Sequence, residues 1–241
     1  MFPLKDNVPT RTFPVVTVAL IAMNVLVYVF LQRKSGIDFS GHSLDPRALN
    51  DYAATPYALT HGVASDNGIP TWLTPLTAMF THAGLLHLGG NMLFLWIFGN
   101  NVEDAMGRRR FLLFYVLGGL AAFALQIAVG PDSTAPTLGA SGAVAGVLGG
   151  YILLYPRARV VTAIFLVLFV TLVEIPAFLV LGFWFLQQAA YGALDLTNPQ
   201  GGGGGVAYFA HIGGFAFGLL LIKLFANRRN EVADHPHLPV F

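Results

Sequence analysis

Residues 139–155 read GASGAVAGVLGGYILLY, and the architecture turns on them. The run carries no charge, and small residues recur at Gly142, Ala145, Gly146, Gly149 and Gly150. Pro156 ends it, because proline cannot continue a helix. A helix from Ser141 to Tyr155 is about 22 Å long at 1.5 Å per residue, whereas the hydrocarbon core of a bilayer is roughly 30 Å thick. Such a helix starts short of the outer surface, which puts Ser141 on the order of 10 Å below it. A polar group at that depth meets water only through a cavity that opens outward.

Composition agrees with a membrane setting. The 241 residues are 55% hydrophobic and 10% charged, with no cysteine, whereas soluble domains carry about 25% charged residues. A disordered chain, a disulfide scaffold, a zinc ribbon and an ordinary cytosolic enzyme are excluded. The net charge of +1 offers no basic face, so no nucleic-acid partner is expected. What remains is an integral, multi-pass membrane protein, in the inner or plasma membrane if the source is bacterial.

Six apolar segments suit spans of about 20 residues: 14–31, 85–102, 111–129, 141–155, from about 176 to 191, and 206–225. The stretch from 160 to 191 is too long for one span. Glu174 and Pro176 divide it, leaving 160–173 as a hydrophobic segment for which an interfacial and a membrane-inserted placement both stay open. The expected fold is all-α, a six-helix membrane bundle. With both termini cytoplasmic, ten of the 13 Lys and Arg residues lie inside, as the positive-inside rule requires. Residues 1–13 form a cytoplasmic N-terminus, 14–226 the core and 227–241 a cytoplasmic tail. Residues 32–84 are a long outer loop and 192–205 a glycine-rich cap loop. The N-terminal apolar stretch is too long for a signal peptide, and no cleavage site follows it.

A polar side chain inside a membrane is costly and points to function. Of six serines only Ser141 opens an apolar segment, and of seven histidines only His211 lies within the sixth. His87 and Asn91 are four residues apart, on one face of the second helix. Gly214 and Gly218 give the sixth helix a small-residue face that matches Gly142, Ala145 and Gly146 on the fourth, and small faces let backbones approach closely. Only close helices bring Ser141 within reach of His211. Each residue has a plainer reading. Ser141 could cap its helix, His211 could bond between helices, and His87 with Asn91 could be structural. His82, His87 and His211 could also hold a metal, although no carboxylate or cysteine stands nearby.

GASG at 139–142, AHIGG at 210–214 with Gly218, and HAGLLHLGGN at 82–91 resemble the signature motifs of the rhomboid intramembrane serine proteases. Glu103, Gly107 and Phe111, spaced by four, are similar to a further feature of that family. The resemblance implies Ser141 as nucleophile, His211 as general base, and His87, Asn91 and the Ser141 backbone N–H as oxyanion donors. Gly139, Gly142, Gly214 and Gly218 are motif and helix-packing positions. It implies transmembrane protein substrates, reached laterally past the fifth helix, and neither cofactor nor metal. Many members carry an aromatic residue where this chain has Ala145, which leaves Phe215 or Tyr208 to pack the His211 ring. The alternatives are an inactive rhomboid-like binding or quality-control protein and, in another class, a transporter.

Overall fold

The computed structural model describes residues 2–32, 51–64, 69–166, 169–197 and 206–227. Most of the expected cap loop, the tail beyond 227 and part of the long outer loop lie outside the described residues. In chain order the elements are β1 (Phe2–Asp6), α1 (Val15–Val27) and a π-turn (Tyr28–Gln32), then two short helices, α2 (Pro56–His61) and α3 (Thr74–Ala78). Next come α4 (Leu85–Phe94), a π-turn (Leu95–Gly99) and α5 (Asn100–Met106), followed by α6 (Arg108–Val129) and α7 (Ser141–Leu154). Strands β2 (Arg159–Leu166) and β3 (Phe169–Pro176) precede α8 (Ala177–Thr197) and α9 (Tyr208–Phe225).

Among the described residues, four helical stretches are long and apolar enough to cross a membrane: Val15–Gln32, Arg108–Val129, Ala177–Thr197 and Tyr208–Phe225. The second and fourth expected spans are occupied by the interrupted helix α4–α5 and by the shorter α7.

The described residues are mostly helical, as expected of a helical membrane bundle, and carry one small sheet besides. Where a hydrophobic segment is expected, Arg159–Leu166 and Phe169–Pro176 pair as antiparallel strands, with Val160 opposite Ile175 and Leu166 opposite Phe169. Strand β1 adds to the other side of β2, in the order β1-β2-β3. The β-branched and aromatic residues of VVTAIF and FVTLVEI favour a pleated surface over a helix. Pro3 lacks an N–H for the ladder, and the β1–β2 register shifts between Pro3 and Lys5.

Helix α7 is the hub. Every residue from Gly142 to Tyr151 is buried. Against α9 its backbone is in direct contact: a Cβ on Gly214 would sit 1.9 Å from the Gly142 carbonyl oxygen, one on Gly218 2.0 Å from that of Gly146, and one on Gly149 2.2 Å from that of Phe215. Atoms that close overlap, so glycine is required at each crossing.

Carboxylates on α5 fix where α1 begins. Glu103 accepts hydrogen bonds from the backbone N–H of Val16 (3.0 Å) and Thr17 (2.7 Å) and from the Thr17 hydroxyl (2.8 Å). Asp104 accepts from the N–H groups of Arg11 and Thr12, each at 3.1 Å. Glu103 satisfies donors that the start of α1 leaves open, where negative charge suits the helix dipole, and Asp104 holds the segment just ahead of it. At the base of the bundle, buried Asp6 accepts from Tyr151 Oη at 2.5 Å and from the Asn101 amide, tying β1 to α7 and α5.

Candidate active site

The head of α7 is shaped by Gly139. Its φ of +113° lies where side chains are strained, and a Cβ there would also meet the His87 ring at 2.8 Å. Its N–H donates to the Ala78 carbonyl at 2.8 Å. Ser141 is the first helical residue and the N-cap position is held by Ala140, so capping does not account for the serine. Instead, Ser141 Oγ lies 2.7 Å from His211 Nε2 on α9. The backbone contacts at Gly214 and Gly142 bring the two side chains this close.

The other imidazole nitrogen is also engaged, by a residue the motifs do not contain. His211 Nδ1 is 2.7 Å from Oε1 of Gln188, a buried residue on α8. One turn earlier on the same helix, the Trp184 ring centroid stands 5.6 Å from that of His211, tilted by 40°. Trp184 therefore packs the ring in the position expected of Phe215 or Tyr208. Phe215 stacks on Phe185, with centroids 4.4 Å apart, and Tyr208 pairs with Tyr191. One signal could have found Gln188: Trp184 and Gln188 are four apart and share a helical face.

Ser141 and His211 line a cavity of about 270 Å³ together with His87, Asn91, Leu86, Val144, Leu148 and Trp184. Asn91 Nδ2 is buried and has no hydrogen-bond partner. A buried donor left unpaired is costly, and this one belongs to a residue lining the cavity that holds the serine hydroxyl. His87 Nδ1 accepts from Ala83 N–H at 3.3 Å, so in the neutral ring the proton sits on Nε2, the nitrogen on the Gly139 side.

His82 props this arrangement from behind. Its backbone is held by the side chain of Gln32, whose Nε2 donates to the His82 carbonyl (3.0 Å) and whose Oε1 accepts the His82 N–H (3.1 Å). Its ring Nε2 accepts from Ala140 N–H at 3.4 Å. Burial, and then the neighbouring His87, hold the His82 imidazole down to about 3, so the ring is neutral and can accept. Among the described residues no three His, Asp or Glu side chains are grouped to hold a metal ion. The structure thus brings Ser141, His211, His87 and Asn91 around one cavity and leaves His82 in support of the loop.

The chain matches a sequence model of the rhomboid domain over residues 70–228. It is 32% identical over 151 residues to the mitochondrial rhomboid protein 1 of Saccharomyces cerevisiae, covering 58% of this chain and 38% of that protein. It is 37% identical over 101 residues to the chloroplastic rhomboid-like protein 11 of Arabidopsis thaliana, covering 41% and 36%. With the mitochondrial presenilin-associated rhomboid-like protein of Homo sapiens it shares 30% identity over 151 residues, covering 60% and 35%. The matched part spans less than two fifths of each of these relatives. They are named for mitochondria and chloroplasts and lend no support to the expected plasma-membrane location. With the family model covering well over half of its length, the chain belongs to the rhomboid family.

Proposed function

We propose that the protein is an intramembrane serine endopeptidase acting through a Ser141–His211 dyad. The observation that carries this reading is the 2.7 Å contact between Ser141 Oγ and His211 Nε2 beside a cavity that Asn91 also lines. Ser141 Oγ attacks the scissile carbonyl while His211 Nε2 takes its proton. His211 then protonates the leaving amine, and water attacks the acyl-enzyme with His211 again acting as base. Asn91 Nδ2, His87 Nε2–H and the Ser141 backbone N–H hold the oxyanion.

The substrate is a membrane protein with a transmembrane helix, cut near the outer face of the bilayer. A peptide bond in a helix is shielded by its own hydrogen bonds, so the segment must unwind locally, and small or helix-breaking residues near the cut favour this. Substrate reaches the cavity sideways, past α8. The six helical segments cross the membrane with both termini on the cytoplasmic side, which keeps ten of the 13 basic residues there.

The test compares the wild type with Ser141→Ala and His211→Ala on a transmembrane reporter in liposomes. Each variant should lose at least about 10³-fold in cleavage rate, and a fluorophosphonate probe should label Ser141 in the wild type alone. Normal cleavage by both variants would refute the dyad.

A further inference from the structure

We propose that Gln188 is the positioning residue of the dyad, its side-chain carbonyl accepting the Nδ1 proton of His211 so that Nε2 is left bare toward Ser141. The inference rests on the protease reading and adds to it the group that sets the tautomer of the base. A carboxamide oxygen only accepts. At 2.7 Å from Gln188 Oε1, Nδ1 therefore carries the single proton of a neutral imidazole. Nε2 then has a free lone pair, and Ser141 Oγ, also at 2.7 Å, is the donor. That is the polarity a general base needs, and the partner on the far nitrogen of a histidine is what fixes it.

The opposite tautomer would point Nε2–H at the serine oxygen and accept no proton from it. Geometry makes Gln188 effective: it is buried, and Trp184 lies against the same ring from the preceding turn. Two constraints from one helix thus fix the rotation and the protonation pattern of His211, while Ala145 on α7 contributes no ring.

The choice of an amide has a physical basis. A carboxylate in that place would orient the ring equally well but would put a charge into an apolar, membrane-depth site, at a large desolvation cost. The groups that face His211 from the packed helices are Ser141 on α7, His87 on α4, Gln188 and Trp184 on α8, with Gln126 of α6 accepting from the neighbouring Ala210 N–H. His87 is the titrating group among them besides the dyad itself, and it is kept constant in the comparison below.

The experiment uses the full chain in bicelles and has two readouts. Nitrogen NMR of ring-labelled histidine, with the His211 signal identified by its loss in His211→Asn, should show the Nδ1–H tautomer in the wild type and a mixture in Gln188→Ala. Cleavage kinetics on the reporter should show kcat falling about 10–100-fold in Gln188→Ala with KM nearly unchanged. Gln188→Glu should keep activity and move the acidic limb of the kcat/KM profile up by about one pH unit or more, since a carboxylate favours the imidazolium. An Nε2–H tautomer in the wild type would overturn the proposal. So would Gln188→Ala with unchanged kcat, or Gln188→Glu with an unmoved acidic limb. A tautomer that depends on Gln188 in a protein that cleaves nothing would uphold the positioning role while refuting the protease reading.

Discussion

Helices α7 and α8 both reach His211, yet they are held in opposite ways. Helix α7 is buried from Gly142 to Tyr151 and touches α9 backbone to backbone. Helix α8 leaves Phe183 67% and Leu186 66% exposed, and a Cβ on its Gly182 would meet nothing within 4 Å. Ser141 and His211, the proposed nucleophile and base, thus come from the tightly locked pair, where a fraction of an ångström matters to reaction geometry. The groups that contact the far side of the His211 ring, Gln188 and Trp184, come from the loosely flanked helix. Under the proposed mechanism this is a division of labour: the reacting atoms are fixed by glycine contacts, while their readiness depends on the helix beside which a substrate must pass.

The contrast is open to direct attack, and the tight side should fail hardest. Gly214→Ala places a Cβ 1.9 Å from the Gly142 carbonyl oxygen. Backbone cannot yield as a side chain can, so a loss above about 3 kcal/mol is expected. Thermal unfolding in detergent and fluorophosphonate labelling would both register it. A well-folded, active Gly214→Ala protein would mean that the α7–α9 contact is not what sets the Ser141–His211 distance.

Asn91→Ala separates chemistry from packing. Removing one oxyanion donor usually costs about 10²–10³ in rate. The change also removes a buried amide nitrogen that has no partner, so thermal stability should hold or rise. A fall in stability with no change in kcat would make Asn91 a packing residue.

The base of α7 offers a pH test. Burial pushes the Asp6 carboxyl up to about 6 from 3.8, against the opposing hydrogen bonds from Tyr151 and Asn101. Between those values the folded protein binds more protons than the unfolded chain, so stability must fall as pH rises from about 4 to about 6. The contribution is full below 4 and absent well above 6, and is worth about 1–3 kcal/mol. Asp6→Asn should flatten that slope in unfolding measured across this window. An identical slope in the variant would assign the dependence elsewhere.

The smallest effect belongs to the open side. Gly182→Ala has room and gains helix propensity, up to about 1 kcal/mol of stability, with cleavage within about twofold of wild type. A large loss of cleavage would show that α8 needs its glycine for motion, which would sharpen the contrast.

The parts of this design that sequence reveals are those written as exceptions to lipid. Ser141 and His211 stand out as lone polar groups on apolar helices, and the glycines beside them announce the close crossing. The strand pair was hidden because residues 160–173 form an apolar run interrupted only by Thr162 and Thr171, and without alternation such a run does not declare its period. Gln188 was hidden for a different reason. It sits next to Gln187 in a helix that matches no motif, and its value comes entirely from which of the two amides faces α9. The missing aromatic at position 145 was legible as a gap, but its replacement was not, because Trp184 arrives from a separate helix.

The Gln32–His82 pair carries a further consequence. The His82 ring already takes the amide hydrogen of Ala140, so an oxygen arriving at the mouth of α7 meets its electropositive end one residue later, at Ser141. A chain break or insertion near Gln32, some fifty positions upstream, would release that grip and blur the point at which the helix begins to attract negative charge.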